Sequence, residues 1–273
     1  MKKYARLKKQ IGFIGCGNMG SAILKGILFN KIASPKQIVI FDADASKMNL
    51  IAKQFGVRKA SSNQEVIRHS QVILLAIKPQ EFSKVAAQIR RELKENHLVI
   101  SILAGTPIVK IKKHLGAHAQ ISRAMPNLGA VVSEGITAVT SRNRQARSLT
   151  SAIFSGCGKV IQLEERYFDW VTAVSGSGPA YFFLLMELLS QVAQKGGLSK
   201  SSADLLAIQT AAGAARLAQT SSARPAELRH MVTSKKGTTE AALQYLSKKN
   251  FGPIFIEAVH QAMKRAKQLS KLA

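Results

Sequence analysis

The chain reads as an α/β unit followed by an all-helical one. Three features of the 273-residue sequence predict this. Short apolar runs alternate with amphipathic stretches up to about Leu163, a glycine-rich turn separates the first apolar run from the first amphipathic stretch, and the β signal stops after Glu164. The expected division is therefore residues 1–163, of which 1–9 form a basic tail, and residues 164–273.

In the first part, strands are expected at Gln10 to Gly15, Gln37 to Asp42, Val72 to Ala76, Leu98 to Ile102, Ala119 to Ser122, Ile136 to Val139 and Lys159 to Gln162, paired as a parallel sheet with helices in the gaps. The helix Asn18 to Phe29 places Met19, Ala22, Ile23, Gly26 and Ile27 on one face at spacings of three and four. Thr106 to His114 opens with Pro107 at the first helical position, where a missing N–H costs nothing. In the second part, helices are expected at Gly178 to Lys195, Lys200 to Gln219, Pro225 to Met231, Gly237 to Ser247 and Pro253 to Leu269. Ala180 to Leu189 and Leu205 to Leu217 are apolar around most of their circumference, more than so small a unit can hide, so a second subunit is expected to cover them.

Composition narrows the class. With 46% hydrophobic residues the chain can build its own cores without a metal or disulfide. Cys16 and Cys157 lie far apart with no ligand spacing, which argues against zinc and fits a reducing cytoplasm. No run of 18 apolar residues is present, as a membrane span would require. Residues 1–16 imitate a signal peptide ending in a lipid-modified cysteine, but Gly12 and Gly15 weaken such a helix. The net charge of +25 comes from 40 Lys and Arg against 15 Asp and Glu. These are scattered in ones and twos without interleaved aromatics, so the charge reads as solvated surface and not as a nucleic-acid footprint.

Gly15-Cys-Gly-Asn-Met-Gly20 is a G-x-G-x-x-G that follows a strand and opens a helix, the context of a Rossmann-type dinucleotide site. Gly15 permits the tight turn, Gly17 lets the backbone approach a pyrophosphate, and Gly20 allows close helix–strand packing. The helix N-terminus adds N–H donors and a positive dipole. Asp42 ends the second expected strand, where a carboxylate accepts hydrogen bonds from the adenosine ribose and so favours NAD. Lys47, Arg58 and Lys59 are available to neutralise the 2′-phosphate of NADP, and Asp42 equally suits a cap for the helix starting near Asp44, so residue chemistry leaves the cofactor open. Ala76-Ile-Lys-Pro-Gln80 and Ile102-Leu-Ala-Gly105 end strands facing the same crevice.

Five strings occur together in order: the glycine turn beginning at Ile11, Ala76-Ile-Lys-Pro-Gln80, Arg123-Ala-Met-Pro-Asn127, Ser175-Gly-Ser-Gly-Pro-Ala-Tyr181, and Leu228 to Leu243 containing Val232-Thr-Ser-Lys-Lys-Gly-Thr-Thr-Glu. Together they resemble the pyrroline-5-carboxylate reductase family over nearly the whole chain. The resemblance implies reduction of a cyclic imine to proline, usually with NADPH, NADH remaining possible. It also implies a helical domain that interlocks into a homodimer, often within a ring of dimers. It places the cofactor against Cys16, Asn18 and Met19 of the turn, Asn63, Ala76, Ile77, Lys78 and Pro79, and Leu103, Ala104 and Gly105. From sequence alone Asn63 also suits a helix N-cap.

In a physical reading of the fifth string, amides of Gly237, Thr238 and Thr239 at a helix start would anchor the substrate carboxylate. The Thr239 hydroxyl would orient the ring nitrogen as the catalytic contact the resemblance implies. Two departures stand out. Lys235-Lys236-Gly237 replaces Pro-Gly-Gly, where glycine tolerates left-handed dihedrals that lysine resists, and Leu128-Gly129 replaces Thr-Pro. Competing readings are a related two-domain dehydrogenase for a 3-hydroxy acid or another imine, and a non-catalytic basic protein binding nucleotides or nucleic acid.

Overall fold

The computed structural model describes residues 7–272, with side chains to residue 270, so most of the basic tail lies outside the described residues. Two compact units form. One takes the described residues up to Gly176 and those from Ala262 onward, and the other is Ser177–Gln261.

In the first unit the chain contributes β1 (Ile11–Ile14), β2 (Ile38–Phe41), β3 (Arg58–Lys59), β4 (Val72–Leu75), β5 (Leu98–Ser101), β6 (Gln120–Met125), β7 (Gly135–Thr140) and β8 (Gly158–Gln162). They pair in the order β3-β2-β1-β4-β5-β6-β7-β8. β1, β4 and β5 are buried along their whole length, which is why they read as continuous apolar runs without alternation. Within β1, Ile11 and Phe13 join the core on one face of the sheet and Ile14 the core on the other. Helices α1 (Asn18–Phe29), α2 (Ala45–Phe55) and α6 (Arg144–Phe154) supply the first layer through Ile23, Ile27, Ile51 and Phe154. Helices α3 (Asn63–Arg68), α4 (Phe82–Ile89) and α5 (Ile108–Leu115) supply the second through Ile67, Phe82, Ile89 and Ile111.

The sheet is not parallel throughout. β7 runs antiparallel to β6, with Arg123 opposite Thr140. The connection between them is a single 3-10 turn, Leu128–Val132, and a parallel crossover needs roughly a dozen residues or more. Gly129 belongs to that turn because a Cβ there would stand 2.8 Å from the Glu134 carbonyl oxygen. β3, unforeseen in the sequence, is two exposed basic residues on a sheet edge. Pro107 is the N-cap of α5 and not its first residue. A short α7 (Phe168–Val171) runs into a π turn at Thr172–Gly176.

The second unit holds α8 (Gly178–Lys195), α9 (Lys200–Thr220), α10 (Pro225–Met231), α11 (Thr238–Lys248) and the first half of α12 (Phe251–Leu272). α12 begins two residues before the expected Pro253, which sits in the first turn where its ring is tolerated. No residue of this unit belongs to either hydrophobic core, and Phe182, Leu189 and Leu205 are 62%, 52% and 66% exposed.

One surface cluster in the first unit holds a carboxylate in its charged form. The Glu65 carboxylate accepts 2.7 Å bonds from the Ser61 hydroxyl and N–H and a 2.8 Å bond from Arg58, which together pull its pKa from 4.5 to about 2. A carboxyl depressed in the folded state stabilises the fold above its unfolded pKa and loses that contribution as pH falls through the folded value. Between pH 4.5 and 2, the Tm of the natural chain is expected to fall more steeply than that of Glu65→Gln. Parallel curves would remove Glu65 from the acid response.

Candidate active site

At the carboxyl ends of β1, β2 and β4, where the strand order reverses, lies a cavity of about 270 Å³. Gly15, Gly17, Asp42, Asn63, Ala76, Ile77 and Lys78 all line it, together with Phe41, Lys47 and Glu81. Gly15 has φ +98°, and a Cβ on it would come within 2.5 Å of the Ala76 carbonyl oxygen, so the turn closes tightly against the end of β4. A Cβ on Gly20, in the first turn of α1, would come within 2.5 Å of the Gly15 carbonyl oxygen. Above Gly17 there is nothing within 4 Å.

The turn leaves a set of donors unsatisfied. Gly15 N–H donates to the Phe41 carbonyl and Cys16 N–H to Asp42 Oδ2, 2.6 Å away. The N–H groups of Gly17, Asn18, Met19 and Gly20 have no acceptor among the described residues, and α1 has no side-chain cap. Open space over Gly17 beside free amides at a helix N-terminus fits the pyrophosphate of a dinucleotide.

The structure gives Asp42 and Asn63 definite hydrogen-bond partners. Asp42 accepts from Cys16 N–H and, through Oδ1, from Asp44 N–H at 2.9 Å, while Asp44 is the cap of α2, accepting from Lys47 N–H at 3.0 Å. Asp42 is thus a tie between the glycine turn and the end of β2, and the capping role belongs to its neighbour. Ser62 caps α3, so Asn63 is the first helical residue. Its Nδ2 donates to Gln88 Oε1 at 2.7 Å, and its buried Oδ1 has no partner. An acceptor left bare in a nucleotide-sized cavity suits a ribose hydroxyl. Of the basic residues considered for a 2′-phosphate, Lys47 lines the cavity, whereas Arg58 is bonded to Glu65 and Lys59 to Asn49.

Other expected contacts fall outside the lining. Cys16 is buried beneath the turn, Met19 packs against the core, and Pro79 opens a 3-10 turn. Leu103 is buried, and Gly105, at φ +65°, abuts Leu269 and Ser270 in the last turns of α12. Phe41 and Glu81 line the cavity without having been singled out, although both adjoin residues that were.

In the helical unit, Gly237 is the N-cap of α11 and offers no side chain. Its N–H donates to the Ser234 carbonyl at 3.0 Å, which removes it from the expected carboxylate anchor. The amides of Thr238, Thr239 and Glu240 remain without acceptors among the described residues. Neither threonine hydroxyl takes part in capping; Glu240 instead reaches back to accept the Lys236 N–H at 2.7 Å. Lys236 has φ +61°, so the backbone keeps a left-handed residue there although lysine resists that region.

Arg123, from the third string, is committed inside the fold. Its buried guanidinium lies 3.2 Å from Glu165 and over the Phe168 ring, while Glu165 also accepts the Ile108 N–H at the start of α5. The sequence marked Arg123 but gave no sign of its partner, which lies far along the chain.

A doubly wound sheet carrying this turn defines a dinucleotide-binding protein of Rossmann type. Comparisons with known proteins make the assignment particular. Residues 165–269 match the family described as pyrroline-5-carboxylate reductase dimerisation, and residues 10–105 match NADP oxidoreductase coenzyme F420-dependent. The pyrroline-5-carboxylate reductase of Synechocystis is 38% identical over 96% of this chain and 98% of its own length. That of Escherichia coli is 36% identical over 97% of this chain and 100% of its own. A solved pyrroline-5-carboxylate reductase from Coxiella burnetii superposes with a TM-score of 0.90 at 35% identity, covering 97% of this chain and 99% of that one. The Plasmodium falciparum pyrroline carboxylate reductase, solved with NADP bound, gives 0.88 at 30% identity over 97% and 100%. The chain belongs to the pyrroline-5-carboxylate reductase family.

Two outcomes test the local geometry. Burial raises the thiols of Cys16 and Cys157 to about 12, with the Asp42 charge adding to the effect at Cys16, so neither is a thiolate near neutral pH. Both are expected to resist a thiol reagent until the chain unfolds; fast labelling of native Cys16 would contradict the buried turn. Lys236→Gly is expected to stabilise the chain by about 0.5–1 kcal/mol, since it relieves a left-handed lysine and surrenders some unfolded-state entropy. A lowered Tm would show that the lysine side chain contributes more than its backbone costs.

Proposed function

We propose that this chain reduces 1-pyrroline-5-carboxylate to L-proline in the cytoplasm, as the last step of proline biosynthesis. The observation that carries the reading is the pair of unsatisfied amide sets, one at the start of α1 beside the cavity and one at the start of α11. Each is an anion site of the kind a helix N-terminus provides. The first suits the pyrophosphate of the cofactor, and the second suits the carboxylate of the substrate.

When bound, the reduced nicotinamide supplies a hydride to the imine carbon, and a proton is taken up at the ring nitrogen. Gly17, Asn18 and Met19 hold the pyrophosphate through backbone N–H groups, and Asn63 Oδ1 accepts from the adenosine ribose. Thr238 and Thr239 amides hold the substrate carboxylate. The Thr239 hydroxyl, which takes no part in capping α11, orients the protonated ring nitrogen. Residues 165–269 supply the dimerisation domain, whose helices α8 to α11 join neither hydrophobic core. These dimers assemble further into a ring, as the family resemblance implies.

NADPH is the proposed reductant, with Lys47 and Lys78 on the cavity wall to offset its extra phosphate. Asp42 favours a second reading, NADH, because its carboxylate stands on the same wall. Parallel steady-state assays with the two reductants decide between them, and Asp42→Asn is expected to move the kcat/KM ratio toward NADPH by about threefold or more. An unchanged ratio would confine Asp42 to its tie with Cys16. Thr239→Ala is expected to lower kcat about tenfold or more while leaving the dinucleotide Kd unchanged. Full turnover in that variant would remove the hydroxyl from the mechanism.

A further inference from the structure

The reversal of β7 creates a second concave surface. Because β7 and β8 run opposite to β1–β6, their carboxyl ends emerge at the end of the sheet away from the nucleotide cavity. There the structure has a cavity of about 660 Å³, within the size range of small-molecule sites. Arg142, Arg147 and Arg166 stand on its wall. A smaller adjoining cavity of about 150 Å³ shares Ile108, Ser141 and Arg142 with it and adds Lys112 and His118.

Charge accounting separates this place from the even basic background. Two carboxylates line the larger cavity, and both are committed: Glu164 to Arg166 at 3.0 Å, and Glu165 to the buried Arg123 at 3.2 Å and to the Ile108 N–H. Lys112, Arg142 and Arg147 have no carboxylate partner among the described residues. Arg147 is held in place by a 3.4 Å bond from Nη1 to the Ser141 carbonyl. The wall also carries the start of α6, where the Arg144 and Gln145 amides lack acceptors, so the helix dipole adds to the same sign.

We infer that this pair of cavities is a second ligand site, for a small anion bearing two or more phosphate groups. Two guanidinium forks on the wall of the larger cavity, with an ammonium group on the adjoining smaller one, match phosphate oxygens, which accept bidentate arginine contacts. A nucleic acid is the poorer fit, because no Phe, Tyr or Trp lines either cavity to stack a base.

The test is calorimetric titration of the full chain with inorganic tripolyphosphate, alone and with the nucleotide site saturated by NAD. Without NAD the site binds and the α1 turn can take up a second equivalent; with NAD filling the α1 turn, saturable binding to one site per chain is expected. Arg142→Gln/Arg147→Gln is expected to weaken it about tenfold or more, while Lys25→Gln/Lys53→Gln, with the same loss of charge, leaves it unchanged. Arg142→Gln alone, at an exposed position, gives the same reading if the double variant does not fold. Absence of saturable binding, equal weakening by both double variants, or complete loss of binding with NAD would overturn the site. A single-stranded oligonucleotide that binds more tightly than tripolyphosphate and depends on the same arginines would overturn its assignment to a small ligand.

Discussion

The α/β unit depends on how closely a helix can follow a buried strand. β1 ends at Ile14, and α1 begins at Asn18. That short passage works only because Gly15 adopts φ +98° against the Ala76 carbonyl, and because Gly20 carries no Cβ to strike the Gly15 carbonyl. The consequence is electrostatic. A turn this tight commits the Gly15 and Cys16 amides to Phe41 and Asp42 and leaves the next four without acceptors among the described residues, with open space over Gly17. Backbone strain, helix dipole and cavity are therefore one feature, and the cofactor chemistry follows from it.

The helical unit answers to a different constraint. The sheet unit encloses two apolar layers, whereas the helices from α8 to α11 contribute to neither and keep Phe182 and Leu205 more than half exposed. Apolar area of that kind costs about 25 cal/mol per Å² left in water, so it persists in a natural sequence only where a partner covers it. The match of residues 165–269 to a dimerisation family agrees with that reasoning.

Much of this was legible in the sequence because it rests on local rules. The apolar runs at Ile11, Val72 and Leu98 lie where fully buried strands lie, and the glycine spacing marks the turn before α1. The features that were not legible depend on distant partners or on competing hydrogen bonds. The direction of β7 follows from the shortness of its connection and not from its composition. Asp42 looked like a ribose contact or a cap, and its bond to Cys16 depends on the pairing of β1 with β2. Gly237 looked like a free donor until Ser234 claimed its N–H. At Lys236 the departure from a glycine pattern left the backbone path open, and the structure keeps the left-handed turn with lysine in it.

The account rests on the amides of the α1 turn being the anchor for a dinucleotide phosphate. A crystal structure of the full chain with oxidised cofactor tests this most directly. The account requires pyrophosphate oxygens within about 3.2 Å of the Asn18 or Met19 nitrogen, over Gly17. A dinucleotide seated elsewhere, with those amides bonded only to water, would contradict it.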